Sequence, residues 1–244
     1  MADVVYKVTV IGDSGVGKSA MYRRWVKGTF NAHPLATVGC DMDVVTHDVG
    51  DGRRLRLQLW DTAGQERFAV ASNACYRGAD AFIIVDEANH IASARQRVDR
   101  WLEEAKRNGP DHALLFLVLN KIDIIAGDSG ATRDAAVAQV ESLMEAAGFD
   151  GEFLAQFAGQ RAHVVSAKTD DDAGMLDLLG ALTSGLVENE KRAGVGRDLR
   201  LAGVIGLADA FPPFYQERAA VAAAAGASAP VPKAKVVQRD ACLC

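Results

Sequence analysis

Three short polar stretches in this chain combine residue types and spacings that could do chemistry. The first is Gly12-Asp13-Ser14-Gly15-Val16-Gly17-Lys18-Ser19, with the spacing G-x-x-x-x-G-K-[S/T]; on a strand-to-helix turn such a stretch wraps phosphate oxygens. Gly12, Gly15 and Gly17 let backbone N–H groups approach an anion with no side chain in the way. Lys18 brings a cation to β- and γ-phosphates, the helix beginning there adds its positive end, and the Ser19 hydroxyl can ligate magnesium. Asp13, Ser14, Val16 and Ala20 fill out the phosphate-binding set.

The second stretch is Asp61-Thr62-Ala63-Gly64-Gln65. A carboxylate at the end of a strand beside a phosphate loop suits a group that holds magnesium, usually through a water. Gly64 can bring its backbone N–H to a γ-phosphate, a contact that exists only while that phosphate does. Its backbone freedom makes the segment a candidate switch. The third stretch is Asn120-Lys121-Ile122-Asp123. A carboxylate at Asp123 accepts from the N1–H and exocyclic amine of guanine, whereas adenine offers no such pair and would be rejected. Alone, the third signal is weak, because polar residues at strand ends are common. Its order behind the other two makes it strong.

These residues need a sheet whose strand ends converge. Val4 to Ile11 reads as a buried strand, and Ser19 to Lys27 as a helix with Met21, Trp25 and Val26 toward the sheet, stopped by Gly28. Thr29 to Cys40 contains Pro34 and no period, so it reads as a loop able to move. Val44 to Val49 and Leu55 to Trp60 are strands around a Gly50-Asp51-Gly52 hairpin turn, the second showing strict alternation and lying against the first strand of the chain. Further strands are expected at 79–85, 112–119 and 163–165, with helices at 91–107, 131–147 and 172–188, and an irregular stretch at 149–160. Alternating strands and helices predict an α/β fold, a mostly parallel sheet with helices on both faces and ligands at the carboxyl ends of the strands. There is no internal repeat.

Composition narrows the classes. The chain has 244 residues and a formal charge of −5, which gives no reason to expect a nucleic-acid partner. Residues 1–190 hold 19 basic and 28 acidic side chains, against 8 and 4 in 191–244. We therefore read 1–190 as one domain and 191–244 as an electrostatically separate, flexible tail rich in Ala, Pro and Gly. Its roughly 50 residues would span about 40 Å end to end. Cys40, Cys75, Cys242 and Cys244 lack the spacing of a disulfide framework, so a reducing compartment is expected. Met-Ala-Asp-Val shows no signal peptide, position 2 is not the glycine that myristoylation needs, and no apolar run is long enough for a membrane span.

With these motifs in place the chain resembles a small Ras-like GTPase, and specifically one of the Rab family, over roughly residues 4 to 190. Val38-Gly39-Cys40-Asp41-Met42 is similar to the family's I-G-V-D-F, Arg56 to Trp60 to its K-L-Q-I-W, and Cys75-Tyr76-Arg77-Gly78-Ala79 to its Y-Y-R-G-A. The resemblance implies a six-stranded sheet with one antiparallel strand. It implies that Phe30 packs on the guanine face, and that Thr37 joins Ser19 and Asp61 around magnesium and senses the γ-phosphate. Asn120, Lys121 and Asp123 would hold the base, with Ser166, Ala167 and Lys168 closing its other side. Gln65 would orient the attacking water and Lys18 would offset charge on the phosphates. The terminal Cys242-Leu243-Cys244 resembles the C-x-C end on which Rabs carry two geranylgeranyl groups, the number a stable anchor asks for.

By this resemblance the chain would be a monomeric GTP/GDP switch on the cytoplasmic face of intracellular membranes, cycling with the cytosol and regulating vesicle trafficking. Its partners would be an exchange factor, a GTPase-activating protein, effectors and an escort protein for the prenylated tail. Two rival readings stay open, a P-loop phosphotransferase or ATPase and a non-hydrolysing GTP-bound scaffold. The chain departs from the family pattern at Ala69-Val70-Ala71-Ser72, at Asp86-Glu87 where tyrosine and aspartate are usual, and in a longer stretch between Asn120 and Ser166.

Overall fold

β-branched residues dominate Val4–Ile11, and this segment forms β1, the strand on which the others assemble. The computed structural model describes residues 4–32, 37, 39–48, 54–64, 74–129, 132–169, 173–193 and 234–237. After β1 come α1 (Lys18–Lys27), β2 (Cys40–Asp48), β3 (Arg54–Thr62), a helical turn at 74–76, β4 (Ala81–Glu87), α2 (Ile91–Asn108) and β5 (Leu114–Asn120). Beyond β5 lie α3 (Ile122–Ser129), α4 (Arg133–Ala146), α5 (Gly151–Leu154), β6 (Ala162–Val164), α6 (Ala173–Ala193) and β7 (Ala234–Val237). The sheet order is β6-β5-β4-β1-β3-β2-β7. β1 pairs parallel with both β3 and β4, and β2 runs antiparallel to β3. Strands β1 to β6 are thus the expected six-stranded sheet with one antiparallel member.

Alternation along the central strands feeds two cores. On one face Val8, Val10, Leu57 and Ile83 pack with Met21 and Trp25 of α1 and with Met175, Leu178 and Leu182 of α6. On the other, Ile11, Phe82, Ile84 and Leu117 meet Ile91, Ala94 and Val98 of α2 and Val140 and Met144 of α4. Because side chains on both faces of these strands interlock with helices, a slip in register would mispack both cores at once, and this packing fixes where each strand ends. All three motif stretches lie at or just beyond such ends.

Several elements differ from the reading of the sequence. β2 begins at Cys40, four residues before the expected Val44, because its ladder with β3 runs on through Cys40↔Thr62. The Gly50-Asp51-Gly52 turn lies outside the described residues. α3 is unexpected from the sequence; its start overlaps the base motif, and it carries no capping residue to announce it. The stretch 149–160, read as irregular, forms α5 and a 3₁₀ turn. Asp150 caps α5 by accepting from the Phe153 backbone N–H at 2.8 Å, and Phe149, Phe153 and Phe157 are all buried in edge-to-face contact.

Two differences concern the cysteines and the tail. Cys40 and Cys75, 35 residues apart in sequence, are brought side by side with Cα atoms 7.3 Å apart, farther than a disulfide spans. Sequence spacing gave no hint of it, because the pair meets where the start of β2 lies beside the helical turn at 74–76. From the tail, Ala234–Val237 forms β7, pairing antiparallel with Val44–His47 at the β2 edge. Among the described residues no helix is long and apolar enough to cross a membrane.

His47, on β2, is fully buried, and burial lowers its pKa from 6.5 to about 3. The folded state therefore binds this proton less readily than the unfolded chain. Its contribution to stability is complete above pH 6.5 and is lost as pH falls toward 3, by an amount of order a few kcal/mol. Denaturant unfolding at pH 7 and pH 5 tests this. The native chain should lose more stability over that interval than His47→Leu, and equal losses would contradict the assignment.

Candidate nucleotide-binding site

The phosphate loop turns sharply because Gly12 adopts φ +145°, and a Cβ there would collide with the carbonyl of Val85. Neighbouring elements hold the loop from both sides. Asn120, 1% exposed, donates from Nδ2 to the Val16 carbonyl at 3.0 Å and accepts at Oδ1 from the Ala167 N–H at 3.1 Å. One side chain at the end of β5 thereby joins the first motif to the 166–168 loop. Asp13 accepts from Trp101 Nε1 at 2.7 Å and pairs with Arg100, both on α2.

At the head of α1, Lys18 is buried, its Nζ donating to the Asp13 carbonyl at 2.7 Å. Burial lowers its pKa to about 8, against the raising pull of Asp61 and Asp13. Gly64 lies directly over this group, where a Cβ would stand only 2.6 Å from the Ser14 nitrogen and would clash with Lys18 Nζ. A glycine is required for that approach. The second motif therefore sits on the phosphate loop itself.

Ser19 Oγ and Thr37 Oγ1 are 2.7 Å apart, and Thr37 Oγ1 also donates to Asp61 Oδ2 at 3.4 Å. Asp61 is 1% exposed; burial pushes its pKa up to about 6, opposed by the Ser19 hydroxyl and the Lys18 charge. Its Oδ1 is buried with no hydrogen-bond partner among the described residues. Two hydroxyls and a carboxylate with a spare lone pair make an all-oxygen donor set, which fits magnesium. Ser19, Thr37 and Asp61, far apart in sequence, are brought together as expected.

At the other end Asp123 accepts from Ser166 Oγ at 2.6 Å and lies 3.8 Å from Lys168 Nζ. Ser166 Oγ also accepts from the Lys168 and Thr169 N–H groups. Lys121 adopts a positive φ of 68° and pairs with Glu87. Phe30 is 37% exposed, an aromatic face open to solvent. Gln65, Cys242 and Cys244 lie outside the described residues.

Arg24 and Arg97 went unrecognised in the sequence. Arg24, 4% exposed on α1, donates from Nε to the Ala167 carbonyl at 3.1 Å and from Nη2 to the Lys168 carbonyl at 2.9 Å. A buried arginine aimed at carbonyls more than a hundred residues away carries no local signature. The departure at Asp86-Glu87 is answered by charge: Arg97 makes a bidentate pair with Asp86, and Glu87 bridges Lys121 and His90. A cavity of about 730 Å³ beside β6, lined by Arg133, Met144, Leu154, Arg161 and Asp177, contains none of the motif residues.

Comparison with known proteins agrees with this geometry. Residues 7–169 match the Ras family. The chain is similar to Ras-related protein SEC4 of Saccharomyces cerevisiae, 35% identical over 195 residues, covering 80% of this chain and 82% of that protein. It is also similar to Ras-related protein Rab-34 of Homo sapiens, 41% identical over 143 residues (58% of this chain, 54% of the relative). To Ras-related protein RABA1b of Arabidopsis thaliana it is 41% identical over 122 residues (50% and 56%). A phosphate loop, a carboxylate and hydroxyl cluster beside it and an Asn-Lys-x-Asp base end, in a chain so matched, place this protein in the Ras family as a Rab-type small GTPase, which hydrolyses GTP to GDP.

Proposed function

We propose that this GTPase is a membrane-tethered switch of intracellular vesicle trafficking that is read by effectors in its GTP form and hydrolyses GTP slowly. One observation carries the reading: Thr37 and Gly64, from separate loops, converge on Lys18 and Ser19. A terminal phosphate placed there would be gripped by both loops, and its loss would free both. Asp123, held by Ser166, faces the base and selects guanine. Phe30 supplies an apolar surface for the ring.

In hydrolysis Gln65 orients the attacking water, while Lys18 offsets charge accumulating on the phosphate oxygens. Magnesium, held by Ser19, Thr37 and Asp61, would neutralise further phosphate charge when bound. An arginine supplied by an activating partner would raise the rate by about 10³ to 10⁵. Exchange factor, effectors and an escort protein complete the cycle. The tail carries lipid at Cys242 and Cys244, where two chains give a stable anchor and Lys233, Lys235 and Arg239 add attraction to anionic lipid.

The rival phosphotransferase or ATPase reading shares only the first motif, and an idle scaffold has no use for Gln65. Affinity for GDP against ADP, paired with single-turnover phosphate release from native chain and Gln65→Leu, separates all three. We expect GDP to be preferred by about 10⁴ or more and the variant to release phosphate at least about tenfold more slowly. Comparable GDP and ADP affinities would overturn the guanine assignment, and unchanged phosphate release would overturn the role of Gln65.

Arg24 positions the loop that backs Asp123. Arg24→Ala removes charge-assisted bonds, each contributing roughly 1.5–3 kcal/mol, and should speed GDP release about tenfold with a smaller effect on the association rate. Release unchanged in a folded variant would show that the loop holds itself.

A further inference from the structure

We propose that Glu87 is a positioning residue of the base site that acts through Lys121: it holds the end of the lysine side chain, so that the stem stays laid across the cleft. The proposal rests on the reading of Lys121 as a base-holding residue and adds to it the group that keeps that residue in place.

The backbone at Lys121 is pinned from both sides. Asn120 bonds the phosphate loop and the Ala167 N–H, while the Ile122 N–H donates to the Val165 carbonyl at 3.3 Å. Between these ties Lys121 takes a φ of 68°, a left-handed conformation that a residue with a Cβ adopts at a cost. Such strain persists only where neighbours hold it. The side chain passes beside the phosphate loop, where Lys121 Cε stands 4.0 Å from the place a Cβ on Gly17 would occupy. Its Nζ then pairs with Glu87 Oε1 at the end of β4. Both ends of the stem are thereby fixed, one by the main chain and one by charge.

Glu87 is itself held. Its N–H donates to Asp86 Oδ1 at 2.7 Å. Asp86, 2% exposed, accepts in turn from Arg97 of α2, from Nε at 2.8 Å and from Nη2 at 2.7 Å. The second carboxylate oxygen of Glu87 bonds His90 Nδ1 at 2.7 Å. A carboxylate with each oxygen engaged and its backbone tied sets where the lysine ends. The side chains of Lys121 and Glu87 are 31% and 15% exposed, so salt screens this pair less than one on the open surface. These contacts fall on Asp86-Glu87, where the family pattern has tyrosine and aspartate. Asp86 supplies the buried carboxylate that Arg97 grips, and Glu87 carries one methylene more than the usual aspartate with which to reach Lys121.

A free lysine stem samples many rotamers, and fixing it before the nucleotide arrives removes that entropy cost from binding. Loss of the anchor should therefore show mainly as faster nucleotide release.

The test measures release of fluorescent GDP from the full chain and from Glu87→Ala, Glu87→Gln, Lys121→Ala and the double variant Glu87→Ala with Lys121→Ala. We expect Glu87→Ala and Lys121→Ala each to speed release about tenfold, and Glu87→Gln, which keeps the shape and loses the charge, about threefold. The double variant should release no faster than Lys121→Ala, because Glu87 acts only through that lysine. A residue that only stabilised the fold would multiply its effect onto that of Lys121→Ala, and this outcome would overturn the proposal. So would release unchanged in both Glu87 variants while Lys121→Ala is fast. Unchanged release from Lys121→Ala would show that the reading of Lys121 itself fails, and the proposal falls with it. Should Glu87→Ala not fold, Glu87→Gln combined with Lys121→Ala makes the same comparison.

Discussion

A buried ammonium, Lys18, is the constraint around which the rest of this protein is arranged. Few groups are costlier to take out of water, and its lowered pKa reflects that penalty. The fold accepts it because Asp13, Asp61 and the closely packed Gly64 surround it. Asp61 is displaced the opposite way, a carboxylate pushed toward neutrality by burial. A polyanion and a divalent cation would complement both groups at once, as the proposed phosphate site requires.

Around that centre the sheet acts as a clamp. β1 delivers the phosphate loop, β3 delivers Asp61, and β5 delivers Asn120. Because the central strands are buried on both faces, their ends cannot drift, and Asn120 can bond the phosphate loop and the base-side loop together. Arg24 holds the latter from below. The contacts of Thr37 and Gly64 are of another kind, small and local, and suited to being made and broken.

Much of the site was legible in the sequence because its chemistry leaves local marks. Gly-x-x-x-x-Gly-Lys-Ser can be read without knowing where the chain goes, and Leu55, Leu57 and Leu59 announce their face by alternation. Arg24 could not be read, because its partners are distant backbone carbonyls and have no residue type. Phe149, Phe153 and Phe157 are spaced like a helix face, yet over too few residues to distinguish α5 from a loop. The meeting of Cys40 with Cys75 and the pairing of β7 with β2 are purely tertiary. Spacing along the chain says nothing about either.

If the terminal phosphate decides the state of two loops, backbone amide hydrogen exchange at Thr37 and Gly64 reads that decision directly. Protection at both sites should rise when bound GDP is replaced by a non-hydrolysable GTP analogue with magnesium, while Asn120 and the central strands stay unchanged. Equal protection at Thr37 and Gly64 in the two nucleotide states would contradict the switch.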